Sequence, residues 1–268
     1  MTLTMNVAFL GGGNMATALI SGLVQAGISP GQIRVAEPDP LRRNTLQERF
    51  KVTVQADNSA VLPGADVVVV AVKPGVVTKV LQEIQAGLLP QTLILSIAAG
   101  VSLARLAENL PKDQPVIRAM PNTPALIGAG MTVLCPGCGV QENQVETARR
   151  IMLAAGKVAV IQDEKLMDAV TALSGSGPAY LYLVAEALSD GGVACGLPRD
   201  LADQLTVQTL LGTSQLLASS GQHPAILKNQ VTSPGGTTIA ALRRLEAGGV
   251  RSALMEAVVA AWQRAREL

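Results

Sequence analysis

The chain has 268 residues, with 21 Lys and Arg against 20 Asp and Glu, for a formal net charge of +1. That balance argues against a nucleic-acid-binding protein, which needs clustered positive charge. Hydrophobic residues make up 49% and charged residues 15%, against about 25% charged in an average soluble chain, which excludes disorder and implies a large buried area, an oligomer interface included.

The length admits one large domain or two modest ones. Val7–Leu10, Ile33–Ala36, Val67–Val72, Leu93–Ile97 and Val116–Arg118 read as short strands, several apolar on both faces as parallel strands between helices must be. Met15–Ala26, Arg42–Phe50, Val76–Ala86 and Leu103–Asn109 between them carry helical spacing. Such alternation predicts a doubly wound sheet, with Met131–Leu134, Val145–Ala155 and Val158–Ile161 adding a last strand–helix–strand at its edge. Beyond Asp163 the strand signal stops. Leu166–Leu173, Ala179–Gly191, Arg199–Ala218, Pro224–Lys228, Ile239–Ala247 and Ser252–Arg266 predict a helical second domain, 164–268, after a first of 1–163. Its faces, rich in Ala, Leu and Val, exceed what so small a bundle buries alone, so it is expected to pack against a second copy. The aliphatic runs fall short of the ~20 residues of a membrane-spanning helix. Met1–Asn6 lacks the basic cluster and apolar core of a signal peptide. Three cysteines, Cys135, Cys138 and Cys195, cannot all pair, which suits a reducing cytoplasm.

Gly11-Gly12-Gly13-Asn14-Met15-Ala16 follows the first strand and opens the first helix. Gly11 suits the tight turn, Gly13 lets backbone approach a pyrophosphate, and Ala16 takes the third small position of a dinucleotide fingerprint. The helix start then offers N–H groups to phosphate. Glu37, ending the second strand, suits a ribose 2′-hydroxyl and NAD; Arg42 and Arg43 suit a 2′-phosphate and NADP. Specificity stays open on these residues. Ligands bind outside the carboxyl ends of parallel strands, which brings in Ala71-Val72-Lys73-Pro74 and Ala98-Ala99-Gly100, whose small residues let a nicotinamide lie against backbone. Asn122, in Met120-Pro121-Asn122-Thr123-Pro124, is a candidate donor to a carboxamide or carboxylate.

In the helical half, Ser174-Gly175-Ser176-Gly177-Pro178-Ala179-Tyr180 sets glycines where only a close approach repays their cost. Ser233-Pro234-Gly235-Gly236-Thr237-Thr238, at a helix start, gathers N–H groups and hydroxyls into a receptor for a small carboxylate. The only histidine, His223, sits in a connecting turn without an obvious partner, and no Lys or His is placed as a strong general base. A 2-hydroxy-acid dehydrogenase needs such a base. Hydride transfer to a polarised carbon–nitrogen double bond does not, because orientation supplies the gain and the Thr238 hydroxyl can bond the ring nitrogen. Cys135-Pro136-Gly137-Cys138 has redox spacing but lies in an edge loop and lacks two further zinc ligands, so no metal site is expected.

These motifs together, along the whole chain, resemble the pyrroline-5-carboxylate reductase family. The resemblance implies reduction of 1-pyrroline-5-carboxylate to L-proline with NADPH or NADH. It implies that Gly11 to Ala16, Asn58, Ala71 to Pro74 and Ala98 to Gly100 line the dinucleotide. Ser233, Gly236, Thr237 and Thr238 then hold the substrate, with Thr238 nearest its nitrogen and Glu164 at the position of a substrate-side acid. It further implies dimers through the helical domains, often five per decamer, in which one subunit's substrate turn serves its partner's nucleotide. Glu37 departs from the neutral or basic residue of NADP-preferring members, and Gln230 stands where some relatives have Asn. A reductase of a larger cyclic imino acid and a non-catalytic dinucleotide sensor are the competing readings; a sensor could dispense with the Ser233–Thr238 turn.

Overall fold

The computed structural model describes residues 5–267, so most of the Met1–Asn6 segment lies outside the described residues. The order is β1 (Val7–Leu10), α1 (Asn14–Gln25), β2 (Ile33–Ala36), α2 (Pro40–Phe50), β3 (Thr53–Gln55), β4 (Val67–Val70), α3 (Val77–Ile84), β5 (Leu93–Ser96), α4 (Leu103–Ala107), β6 (Val116–Met120), β7 (Gly130–Pro136), α5 (Glu142–Leu153) and β8 (Gly156–Val160). α6 (Met167–Val170), a π-helical turn at Thr171–Gly175, α7 (Gly177–Ala194), α8 (Arg199–Ser220), α9 (Pro224–Gln230), α10 (Thr237–Ala247) and α11 (Val250–Ala265) complete it.

The eight strands form one sheet in the order β3-β2-β1-β4-β5-β6-β7-β8. β1 to β6 are mutually parallel, β7 runs antiparallel to β6, and β8 is parallel to β7. The doubly wound sheet is therefore as read from sequence, with three differences. β3 carries no apolar run, its exposed Thr53 and Gln55 flanking a half-buried Val54. β7 reverses because Pro121–Ala129 joins it to β6 by only a short 3-10 turn, and a parallel return needs a crossover of a dozen or more residues. The expected helix Leu166–Leu173 divides into a 3-10 turn, α6 and the π turn.

Alternation along the inner strands builds two cores. Val7 and Phe9 of β1 join Leu19 and Leu23 of α1, Leu46 of α2 and Ile151 of α5 on one face. Ala8 and Leu10 join Val68, Val70 and Leu81 on the other. Each fully buried side chain of this size contributes roughly 1.5–3 kcal/mol, so β1 and β4 are held firmly from both sides. The chain first visits one side of the sheet from β1 and later the other from β4, making the gap between their carboxyl ends the topological switch point.

Backbone contacts divide the chain into two compact units: residues up to Ser176 together with those from Ala261, and Gly177–Ala260. In the second unit Arg199 ties α8 to α7, with Nη2 2.7 Å from Asp190 Oδ1 and Nη1 donating to Ser189 Oγ at 3.1 Å. Much of its apolar surface faces outward: Leu183 is 67% exposed and Met255 64%. Leaving such side chains in water forgoes the burial that would stabilise the helices. No helix among the described residues is long and apolar enough to cross a membrane.

Candidate active site

The glycine turn is built where β1 hands the chain to α1. Gly11 adopts a φ of +99° and donates its N–H to Ala36 O at 2.8 Å. A Cβ there would lie 2.7 Å from the Ala71 carbonyl oxygen, so both conformation and space demand glycine. Gly13 faces open space, with no atom within 4 Å of a Cβ placed on it. It is the N-cap of α1, and no side chain bonds the helix start there. The first-turn N–H groups are thus directed at unfilled space, and the residues fit a dinucleotide phosphate. Asn14 is exposed, Met15 half-buried and Ala16 fully buried against the sheet.

Glu37 is buried, at 4% exposure. Its Oε2 accepts the Gly12 N–H at 2.8 Å and its Oε1 the Asp39 N–H at 3.0 Å. The carboxylate thereby couples the end of β2 to the glycine turn. Arg43 spends its guanidinium on the carbonyls of Glu37 and Pro38, at 2.9 and 2.7 Å. Arg42 stays exposed, 3.8 Å from Asp39. A groove of about 230 Å³ runs beside the turn between Gly12, Gly13, Asn14, Arg42, Thr45 and Arg49.

The other predicted dinucleotide residues follow the ends of β4 and β5. Ala71 continues β4, its N–H bonded to Leu10 O at 2.9 Å, and Val72, Lys73 and Pro74 lead outward from it. Ala98 is buried, Ala99 is exposed, and Gly100 turns with a φ of +72°. Asn58 lies after β3, where its amide donates to Glu83 Oε2 at 2.8 Å. The structure thus sets Gly11 to Ala16, Ala71 to Pro74 and Ala98 to Gly100 along the carboxyl ends of three neighbouring strands, with Glu37 at a fourth.

Glu164 and Gly100 line one groove of about 390 Å³. Glu164 Oε1 sits 2.8 Å from Nη1 of Arg118, a guanidinium only 8% exposed. The same oxygen accepts the Leu103 N–H at 2.8 Å, while Asp168 lies 4.0 Å from the other arm of Arg118. Arg118 was missed from sequence; the available signal was one charge inside an apolar strand, which is buried only with a partner. The larger groove of about 590 Å³ along α2 and β3 contains none of the predicted site residues.

In the second unit, Gly235 turns at a φ of +70° and the Gly236 N–H closes onto Ser233 O at 3.1 Å. Gly236 then serves as N-cap of α10, with Thr237 and Thr238 in its first turn, Thr238 half-buried. Ser233 and Thr237 are exposed, so hydroxyls and first-turn N–H groups gather at one helix start.

Three expectations are corrected. Asn122 is not available to a ligand as drawn from sequence, because its amide is already bonded at both ends. Nδ2 donates to Ser174 O and Oγ at 3.2 and 3.3 Å, and Oδ1 accepts the Met131 N–H at 2.8 Å. His223 does have a partner, since it caps α9 by accepting the Ala225 N–H on Nδ1 at 3.2 Å. Cys135 lies in β7 rather than in a loop, and burial, aided by the Glu164 charge, pushes its thiol up from its ordinary value. Such a thiol is a poor nucleophile. Among the described residues no group of three or more His, Cys, Asp or Glu is placed to hold a metal ion.

A family model described as pyrroline-5-carboxylate reductase dimerisation matches residues 164–268, and one described as NADP oxidoreductase, coenzyme F420-dependent, matches residues 6–100. The pyrroline-5-carboxylate reductase of Synechocystis is 46% identical over 99% of both chains. That of Arabidopsis thaliana is 45% identical over 98% of this chain and 95% of its own. Among solved structures, the Coxiella burnetii pyrroline-5-carboxylate reductase aligns with a TM-score of 0.94 at 38% identity, covering 98% of each chain. The Plasmodium falciparum pyrroline carboxylate reductase, solved with NADP bound, aligns with a TM-score of 0.88 at 31% identity over 100% of this chain and 99% of that one. On the strength of whole-chain identity, a shared fold and a matching dimerisation half, this chain belongs to the pyrroline-5-carboxylate reductase family.

Proposed function

We propose that the protein is an NAD(P)H-dependent imine reductase that converts 1-pyrroline-5-carboxylate to L-proline, the last step of proline synthesis. The carrying observation is a dinucleotide turn in which conformation and space demand glycine at Gly11 and Gly13 leaves the start of α1 open, in a chain that also presents the Ser233–Thr238 receptor at a helix start. When bound, the reduced nicotinamide supplies the hydride. The first-turn N–H groups of α1 hold the pyrophosphate, and Asn58 and Ala71–Pro74 line the dinucleotide. Ala98, Ala99 and Gly100 form the shelf for the nicotinamide.

Ser233, Gly236 and Thr237 hold the substrate carboxylate with hydroxyl and backbone donors. Thr238 acts as the catalytic residue: its hydroxyl donates to the imine nitrogen, so that charge is steadied there as the neighbouring carbon accepts hydride and the nitrogen takes up a proton from water. Glu164 borders the substrate side. Its carboxylate, steadied by Arg118, also fixes Leu103 just beyond the shelf. No strong general base is required because the imine is already polarised; positioning is the main contribution.

The division 1–163 and 164–268 is proposed as the functional one, a dinucleotide-binding part followed by a substrate-binding and dimerising part. The outward apolar helices of the second unit support self-association, and the proposed final assembly is five dimers in a decamer. The proposed setting is the cytoplasm, supported by three free thiols.

The test is Thr238→Ala. Losing one donor that acts in the transition state should lower kcat by about a hundredfold, while the dissociation constant for NADH or NADPH stays within about twofold. Equal losses in turnover and cofactor affinity would remove Thr238 from its assigned role.

A further inference from the structure

We propose that Asn122 is a positioning residue for the reduction, supplying the donor that Pro178 cannot. The inference rests on the reading that Ala98–Gly100 is the nicotinamide shelf. In a regular helix the carbonyl of residue 174 is bonded by the N–H of residue 178. Residue 178 is proline, which has no N–H. The chain answers with a widened turn, Thr171–Gly175, in which the Ser176 N–H reaches back to Thr171 O at 2.9 Å. Asn122 Nδ2 then donates to the Ser174 carbonyl at 3.2 Å and to its hydroxyl at 3.3 Å. A half-buried carbonyl in this turn thus takes a donor from a residue 52 positions away.

A second contact fixes the same turn. Gly175 rests on Met120, the last residue of β6, so closely that a Cβ would lie 2.5 Å from the Met120 methyl. Asn122 is itself anchored, because its Oδ1 accepts the Met131 N–H at 2.8 Å at the start of β7. Strand β6 therefore grips the segment 164–175 at both ends: Arg118 through Glu164, and the β6 exit through Ser174 and Gly175. Glu164 also bonds Leu103, which closes the loop leaving the shelf. β6 neighbours β5, whose end becomes that shelf, whereas the glycine turn lies beyond β5 and β4. Loss of the Asn122 donors loosens the segment beside the shelf and leaves the phosphate-binding turn untouched. Turnover then suffers, and dinucleotide affinity does not. π turns recur at functional sites, and here Pro178 accounts for the turn and Asn122 for its upkeep.

The experiment uses full-length protein with Asn122→Ala, Pro178→Ala and the double substitution. Asn122→Ala should lower kcat by about tenfold, the scale of one stranded carbonyl, with the NADH dissociation constant within about twofold. Pro178→Ala restores an N–H at the position that a helix would use. In the Asn122→Ala background it should recover at least about threefold in kcat, and in native protein it should give no gain. Amide hydrogen exchange at Ser176 and Gly177 should quicken in Asn122→Ala and slow again in the double variant, a readout independent of activity. An undiminished kcat, an equal loss of dinucleotide affinity, or failure of Pro178→Ala to rescue either kcat or exchange would overturn the proposal. A native enzyme that protects these amides but reduces no imine would instead overturn the assigned reaction.

Discussion

Replacing Arg118 with methionine tests whether the buried ion pair organises the loop beyond the shelf. The substitution keeps an unbranched side chain in β6 but removes the guanidinium that faces Glu164 at 2.8 Å and Asp168 at 4.0 Å. Stranding a fully buried charge costs about 3–5 kcal/mol. Glu164 and Asp168 are each 29% exposed, so water partly resolvates them and the expected loss falls to about 2 kcal/mol. For a chain of this size that corresponds to roughly 4–8 °C in Tm. The assay is urea unfolding and thermal melting of Arg118→Met, Glu164→Gln and the double variant at one protomer concentration, since association shifts apparent stability. Glu164→Gln keeps an acceptor for the Leu103 N–H, so the two single losses should overlap, with a coupling of about 1–2 kcal/mol. A loss under about 0.5 kcal/mol for Arg118→Met, or strict additivity, would refute the claim that this pair holds the segment in place.

Gly13→Val should weaken NADH binding by at least about a hundredfold by filling the approach to the α1 N–H groups, while the oligomer mass measured by light scattering is unchanged. Dissociation to monomers would contradict the separation of dinucleotide and association surfaces. Cys135 should resist iodoacetamide at pH 8 in folded protein while exposed Cys138 reacts, because burial keeps the former thiol protonated. Because its pKa is raised on folding, this thiol's contribution to stability holds below the unfolded-state pKa and declines as pH rises past it. Labelling of Cys135 at the rate of Cys138 would reverse that assignment.

Much of this architecture was legible because local and global signals agree. The run Val7–Leu10 followed by three glycines announces both a buried strand and a phosphate turn, and the structure gives Gly11 the φ and the crowding that only glycine tolerates. The direction of β7 is written in the shortness of its connection from β6, which leaves no room for a crossover. β3 was not, since its three residues carry no apolar alternation. The partners of Arg118 and Asn122 lie 46 and 52 residues away, and a pairing across that distance leaves no trace in local periodicity. The same holds for Glu37, whose position marks a cofactor residue but whose bond to the Gly12 N–H emerges only when β2 lies beside β1.

The most direct test of the central claim is consumption of reduced nicotinamide by purified protein on addition of 1-pyrroline-5-carboxylate, with NADH and NADPH run in parallel and L-proline quantified. Rapid oxidation with one proline formed per dinucleotide consumed is the predicted result, and the ratio of the two rates reports what Glu37 does to cofactor choice. Protein that binds the dinucleotide yet oxidises neither form in the presence of this imine would contradict the account.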